Sequence, residues 1–300
     1  EGVFMKALMC VPNISEGKDL IVIEKVVETI RSSPGVILLD YSSDKDHNRS
    51  VISYIGEPGA VVAATQSLVK TAIDLIDMSR QKGSHPRQGA VDVVPFIPIS
   101  GITEEESVDI AHDFGRFVGK LGVPVYFYED AAKHPDRKSL VKVRKGEYEA
   151  LAEKILKPEW KPDEGPAQFI SKTGSIQISS RFPLVALNIN LGTTKLEIAQ
   201  TIAKSVRHIN GGFRFVRAMG LSLEEEGLTQ VSMNLTQYQK TPIPMVMEAV
   251  KREAAKFGIN VVGSELVGPV PLEAMGQVLR YYLQAHDFSM DQIIENALIN

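Results

Sequence analysis

The 300-residue sequence predicts an α+β chain assembled from two βαββαβ halves. Three observations carry this prediction. The same order of strands and helices occurs twice, over about residues 6–97 and again over about 184–262. Between the runs lies Lys157 to Ser180, which holds Pro158, Pro162, Gly165, Pro166 and Gly174 and has little periodicity. Two strands of the second half alternate strictly. Asn188 and Asn190 share a face opposite Leu187 and Ile189, while Gln230, Ser232 and Asn234 oppose Val231, Met233 and Leu235.

In the first half, Lys6 to Val11 reads as a strand that ends at Pro12-Asn13. Leu20, Ile23, Val27 and Ile30 then recur at helical spacing until Ser33-Pro34-Gly35 stops them. Val36 to Tyr41 and Arg49 to Ile55 read as a hairpin around the polar run Ser42 to His47. Pro58 opens a second helix with Val61, Ala64, Leu68, Ala72 and Leu75 on its apolar face, and Val91 to Ile97 closes the unit. This is the split βαβ, or ferredoxin-like, order. An appended unit follows, with a Thr103/Glu106 capping box, a helical stripe from Ile110 to Leu121, a strand from Val123 to Tyr128 and a short helix over Glu147 to Leu156.

The second half repeats the order. Leu184 to Asn190 is a strand, a Thr194/Glu197 capping box opens a helix, and Phe213 to Met219 and Thr229 to Leu235 are strands. A helix from about Pro242 ends at Gly258, Ile259 to Val262 closes the sheet, and Pro271 to Leu283 and Asp291 to Leu298 add terminal helices. We place the domain boundary between residues 5–180 and 181–300. Each sheet is expected to have one polar face, either open to water or turned towards its counterpart across a ligand cleft or tunnel.

Composition excludes several function classes. With 44% hydrophobic and 23% charged residues the chain is globular, and a net charge of -4 without a basic run argues against nucleic-acid binding. No apolar stretch reaches the roughly 18 residues of a membrane span. The single cysteine, Cys10, sits in an apolar strand as a core residue and points to a reducing, cytoplasmic setting. The six histidines are scattered and have no cysteine partner at ligand spacing, so no metal is expected.

The candidate chemistry lies in Arg80-Gln81-Lys82-Gly83-Ser84-His85-Pro86-Arg87-Gln88-Gly89, between the second helix and the strand after it. Gly83, Gly89 and Pro86 shape this loop, which therefore can aim His85. A histidine near its ordinary pKa of about 6.5 can take and return a proton, and the cations around it suit carboxylates. A solvated surface histidine would fit the same pattern.

Many ordered blocks together resemble the glutamate formiminotransferase family. They include Cys10-Val11-Pro12-Asn13 with Ser15-Glu16-Gly17, Leu38-Leu39-Asp40, Asn48-Arg49, Ile76-Asp77-Met78-Ser79-Arg80, Lys82-Gly83 with His85-Pro86-Arg87, Gly146-Glu147-Tyr148-Glu149 and Asn188-Ile189-Asn190. The resemblance covers nearly the whole chain. It implies transfer of a formimino group between N-formimino-L-glutamate and N5 of tetrahydrofolate, the co-substrate, by a homodimer without a fused cyclodeaminase. His85 matches the catalytic histidine. The family's folate loop falls within 157–180, on Gly165, Pro166, Ala167, Gln168, Phe169, Ile170, Ser171, Lys172, Thr173 and Gly174. Asn188 and Asn190 are further candidates for the pterin edge.

Ser42 stands where animal members of the family carry an acidic residue. Asp40 is therefore the acidic partner assigned to His85, with Asp44 and Asp92 as alternatives. Arg87, Lys82 and Arg49 are the candidates for substrate carboxylates, because Arg can grip a carboxylate with two hydrogen bonds. Asn48 and Asn13 are candidates for amide-like edges. Attack of an amine on a formimidoyl carbon passes through a tetrahedral intermediate, and one histidine can deprotonate the attacking nitrogen and protonate the leaving one. The same cleft and base would serve formyl transfer to a reduced folate or another pterin, and the same residues would serve a non-catalytic folate-binding protein.

Overall fold

The structure, a computed structural model, describes residues 6–294. The chain divides into two compact units, one ending at Arg181 and the other beginning at Phe182. Among the described residues no helix is long and apolar enough to cross a membrane.

The first unit is built on one mixed sheet. Strand β1 (Ala7–Cys10) is broken at Pro12, which lacks an N–H for the ladder, and resumes as β2 (Asn13–Ile14). Both pieces pair with β4 (Arg49–Gly56) on one side and β5 (Val91–Ser100) on the other, all antiparallel, and β3 (Val36–Asp44) forms the edge beside β4. This is the predicted ferredoxin-like arrangement. Helices α1 (Leu20–Arg31), α2 (Pro58–Leu75) and α3 (Glu104–Lys120) cover one face, where Ile23, Leu68 and Phe114 join Leu8, Tyr54 and Phe96 in the main core. Burying each such side chain contributes about 1.5–3 kcal/mol. Asp19 caps α1, and the Thr103/Glu106 capping box of α3 forms as expected. Cys10 is fully buried, and burial pushes its thiol up to about 12, which makes it a core residue.

Beyond β5 the sheet continues in parallel. β6 (Val125–Glu129) is the far edge, and β7 (Ile176–Ser180) is inserted between it and β5. The sequence reading placed Ile176–Ser180 inside an aperiodic loop. All five residues of β7 are buried, Ile176 and Ile178 in the main core and the polar Gln177, Ser179 and Ser180 beside them, because both faces of this part of the sheet are covered, and the alternation is too short to mark the strand. Its second face carries Val93, Tyr126, Tyr128, Val143, Leu151 and Ile155, a satellite core closed by the short helices α4 (Leu140–Val143) and α5 (Leu151–Lys154). The polar face expected of this sheet is instead covered by this satellite core over β5 and β6, with Gln177 and Ser179 of β7 buried between them. The helix read over Glu147 to Leu156 shrinks to α5.

The second unit is a four-stranded antiparallel sheet ordered β11 (Val261–Val267), β8 (Val185–Leu191), β10 (Leu228–Leu235) and β9 (Val216–Leu223). Helices α6 (Leu196–Val206), α7 (Ile243–Ala255) and α8 (Leu272–Tyr282) supply Ile202, Val246 and Ala274 to a core that includes Leu187, Ile189, Val231 and Met233. The Thr194/Glu197 capping box does not form: α6 begins at Leu196 with Lys195 at its cap and no side-chain cap bond. The helix read over Asp291 to Leu298 is a short 3-10 turn at Met290–Gln292, and residues 295–298 lie outside the described residues.

Candidate active site

His85 sits on the connection between α2 and β5, and the sequence fixes this segment from several directions. Pro86 disfavours a helical backbone at His85, which lies in a bend of the loop. Gly83 is pressed against the β3–β4 turn, where a Cβ would meet the His47 carbonyl oxygen at 2.2 Å. The Ser84 N–H and hydroxyl both donate to the Asp46 carbonyl, at 3.2 and 3.1 Å. Asn48, buried and held at φ +49, ties three segments together. Its Oδ1 accepts from the Gly17 N–H at 2.9 Å, and its Nδ2 donates to the Lys82 carbonyl at 3.0 Å and to Gln81. Asparagine tolerates this left-handed backbone better than most residues.

His85 is half-buried. Nη1 of Arg49, on β4, lies 2.6 Å from its Nε2. A guanidinium only donates, so Nε2 accepts and the neutral ring carries its proton on Nδ1. The His47 ring lies 6.1 Å away, centroid to centroid, and Nδ1 of His47 pairs with Asp44 at 2.8 Å. Burial, then the charges of Arg49 and Arg144 and the neighbouring His47, push the His85 imidazole down to about 4. In the resting chain it is a neutral base whose lone pair is occupied.

The loop leaves His85 through a buried clasp. Asp92 accepts the Gln88 N–H at 2.8 Å on Oδ1 and Nη1 of Arg144 at 2.7 Å on Oδ2, and the same Nη1 donates to the Pro86 carbonyl at 3.0 Å. Burial raises the Asp92 carboxyl above the usual carboxylate range, and Arg144 opposes it.

Of the residues assigned from sequence, the structure brings Arg49 and His85 into contact, with Asn48 and the Lys82 backbone supporting them. Lys82 exposes its side chain and makes no ion pair among the described residues; with Gly83, Arg87, Gly146, Glu147 and Glu149 it lines an open hollow of about 500 Å³. Arg87, expected to meet a substrate carboxylate, already holds carboxylates of this chain. It is buried and grips Glu149 with both terminal nitrogens (2.8 and 3.1 Å), with Glu147 at 3.3 Å and the Gln81 carbonyl at 3.2 Å, so internal carboxylates already fill its fork. Asp40 lies exposed on the edge strand, opposite Ser53, and no hydrogen bond or ion pair joins it to His85 among the described residues. The acids with electrostatic reach into this site are Asp44 and Asp92, the two alternatives. Asn13 spends its amide on the Val11 carbonyl at 3.2 Å.

The segment Gly165 to Gly174 is half anchored. Gly165, Ala167, Gln168, Ser171 and Lys172 are exposed, and Pro166, Phe169 and Ile170 are half-buried, with Phe169 against Tyr148 at 5.4 Å. Its end is stitched to the His85 loop: the Ala90 N–H donates to Thr173 at 2.9 Å, the Met78 N–H to Lys172 at 2.9 Å and the Ser175 N–H to Gln88 at 3.0 Å. In the second unit, Asn188 donates to Glu265 at 3.2 Å and Asn190 accepts from Gln230 at 2.8 Å, on the sheet face away from the helices.

Sequence reasoning missed Arg144, His47, Glu147 and Glu149. The partnership of Glu147 and Glu149 with Arg87, 60 and 62 positions away in the chain, leaves no periodic signal in the sequence. Among the described residues no group of three or more His, Cys, Asp or Glu could hold a metal ion.

A half-buried neutral imidazole among fixed cations is an arrangement that can take up a proton beside an anionic group. Residues 7–181 match the formiminotransferase domain, N-terminal subdomain, and residues 186–300 match the formiminotransferase domain. The chain is 44% identical over 296 residues to a glutamate formimidoyltransferase of Streptococcus pyogenes, covering 98% of this chain and 99% of that protein. It is 41% identical to a glutamate formimidoyltransferase of Thermoplasma acidophilum, with 98% of each covered. A formimidoyltransferase-cyclodeaminase of Gallus gallus is 44% identical over 286 residues, which span 93% of this chain and 53% of that longer protein. The chain belongs to the formiminotransferase family.

Proposed function

We propose that the protein is a glutamate formimidoyltransferase that moves the formimino group between N-formimino-L-glutamate and tetrahydrofolate, with His85 as the proton carrier. The observation that carries this reading is end-to-end similarity to relatives named for that single activity, in a chain whose His85 is presented by a braced loop beside an arginine.

Both substrates carry carboxylates, and the cations present fit them. Arg49 has no carboxylate partner among the described residues, and Lys82 is exposed at the mouth of the adjoining hollow. Tetrahydrofolate supplies the N5 nitrogen that exchanges the formimino group. A substrate carboxylate that draws Arg49 towards itself frees the His85 lone pair. The added negative charge raises the imidazole from about 4 towards its ordinary value, where a general base works best near neutral pH. Nε2 then accepts a proton from the attacking nitrogen and returns it to the departing one. The exposed part of Gly165 to Gly174, hydrogen-bonded to the same loop, is the part of this unit we assign to folate, with Asn188 and Asn190 as pterin-edge residues. Homodimer formation and a cytoplasmic location belong to the same reading.

The test is transfer to tetrahydrofolate with N-formimino-L-glutamate run beside N-formyl-L-glutamate. Turnover with the formimino donor is expected. Preference for the formyl donor, or folate binding without turnover on either, would replace the named activity.

A further inference from the structure

Arg144 stands immediately after α4, outside the His85 loop, yet it reaches that loop's backbone. Its Nη1 bridges the Pro86 carbonyl at 3.0 Å and Oδ2 of Asp92 at 2.7 Å, and Oδ1 of Asp92 takes the Gln88 N–H at 2.8 Å. The two residues thus hold the chain on both sides of Arg87, and the Pro86 carbonyl is one peptide from His85. Asp92 is 3% and Arg144 17% exposed in their side chains, so the pair is shielded from solvent.

The turn that presents Arg144 is itself braced. The Lys154 ammonium, which has no carboxylate partner among the described residues, donates to the carbonyls of Lys142, Val143 and Lys145, and it lies 4.0 Å from the Trp160 ring centroid.

We propose that Arg144 and Asp92 form a positioning pair that aims the His85 imidazole by clamping the backbone on either side of Arg87. The inference rests on the proposed role of His85 and adds two residues to it. The forked guanidinium matters, because one planar group must meet a carbonyl and a carboxylate together, which an ammonium does less well. Its charge matters as well. The groups facing or influencing His85 are Arg49 on β4, His47 at the β3–β4 turn, itself paired with Asp44, and Arg144 after α4, itself paired with Asp92. Removing the Arg144 charge therefore shifts the balance towards protonation, whereas a replacement that keeps the charge and the burial does not.

The test compares wild type, Arg144→Lys and Arg144→Gln in the full chain. His85 ring signals, assigned by their loss in His85→Gln, are titrated by NMR without substrate. Arg144→Gln is expected to raise the His85 midpoint, and Arg144→Lys to leave it near wild type. In the transfer assay Arg144→Lys is expected to lose about 10- to 100-fold in kcat with KM for the donor changed less than about threefold, the pattern of a misaimed base. A midpoint unmoved in Arg144→Gln overturns the pairing, as does a kcat within about threefold of wild type in Arg144→Lys. The lysine variant carries the test alone if the glutamine variant does not fold. If wild type fails to use the formimino donor, the functional reading fails, and the NMR midpoint still decides the pairing.

Discussion

His85 binds its proton more weakly in the folded chain than in the unfolded one, and that difference has a measurable consequence. Its imidazole titrates near 4 when folded and near 6.5 as a free side chain. Between those values the unfolded chain takes up a proton that the folded chain refuses. The stability associated with the neutral ring is therefore fully present above about pH 6.5 and is lost as pH falls towards 4. His85→Gln is expected to flatten the fall of Tm between pH 6.5 and 4.5, read by thermal melts at matched ionic strength. An equally steep fall in the variant would mean that the ring is not held neutral by burial and by Arg49. The shaping of the loop was legible in the sequence, since a histidine between glycine and proline punctuation announces a shaped segment. The division of labour among its cations was not. Arg49, Lys82 and Arg87 looked alike, and only long-range contacts show that Arg87 is consumed by Glu147 and Glu149 while Arg49 faces the imidazole.

The elements around the loop act as its frame, and the end of the 165–174 segment is the tightest joint. Gly174 adopts φ +64, and a Cβ there would meet the Gln88 carbonyl oxygen at 2.0 Å. Gly174→Ala is therefore expected to destabilise the fold by about 1–3 kcal/mol in urea denaturation and to lower kcat, because Gln88 moves with the His85 loop. Wild-type stability and turnover in that variant would show that the joint does not brace the site. Most elements were readable from period and punctuation: helices α1, α2 and α7, the hairpin of β3 and β4, and the Thr103/Glu106 box all formed, although Leu20 and Leu75 at the ends of the α1 and α2 stripes stay exposed. The strand β7 was hidden because Gln177, Ser179 and Ser180 are polar residues in a strand buried on both faces, the reverse of the usual signal. The Thr194/Glu197 box had the right letters and the wrong register, since the helix starts at Leu196.

At the scale of the whole chain, the recurrence of βαββαβ was visible as element order, and both units adopt it, although the first adds two parallel strands. Periodicity reports on faces and ends of elements. It carries no record of which loop meets which helix end, which is why the Arg144–Asp92 clasp, joining residues 52 positions apart, had no signature in the sequence. The account stands or falls on one residue doing proton transfer in a folded protein. The most direct measurement is the rate of formimino transfer from N-formimino-L-glutamate to tetrahydrofolate by wild type and by His85→Ala, each shown by circular dichroism and melting to be folded. The account predicts turnover by wild type and a loss of about 10²- to 10⁴-fold in the variant. Equal turnover by a folded His85→Ala protein would contradict it.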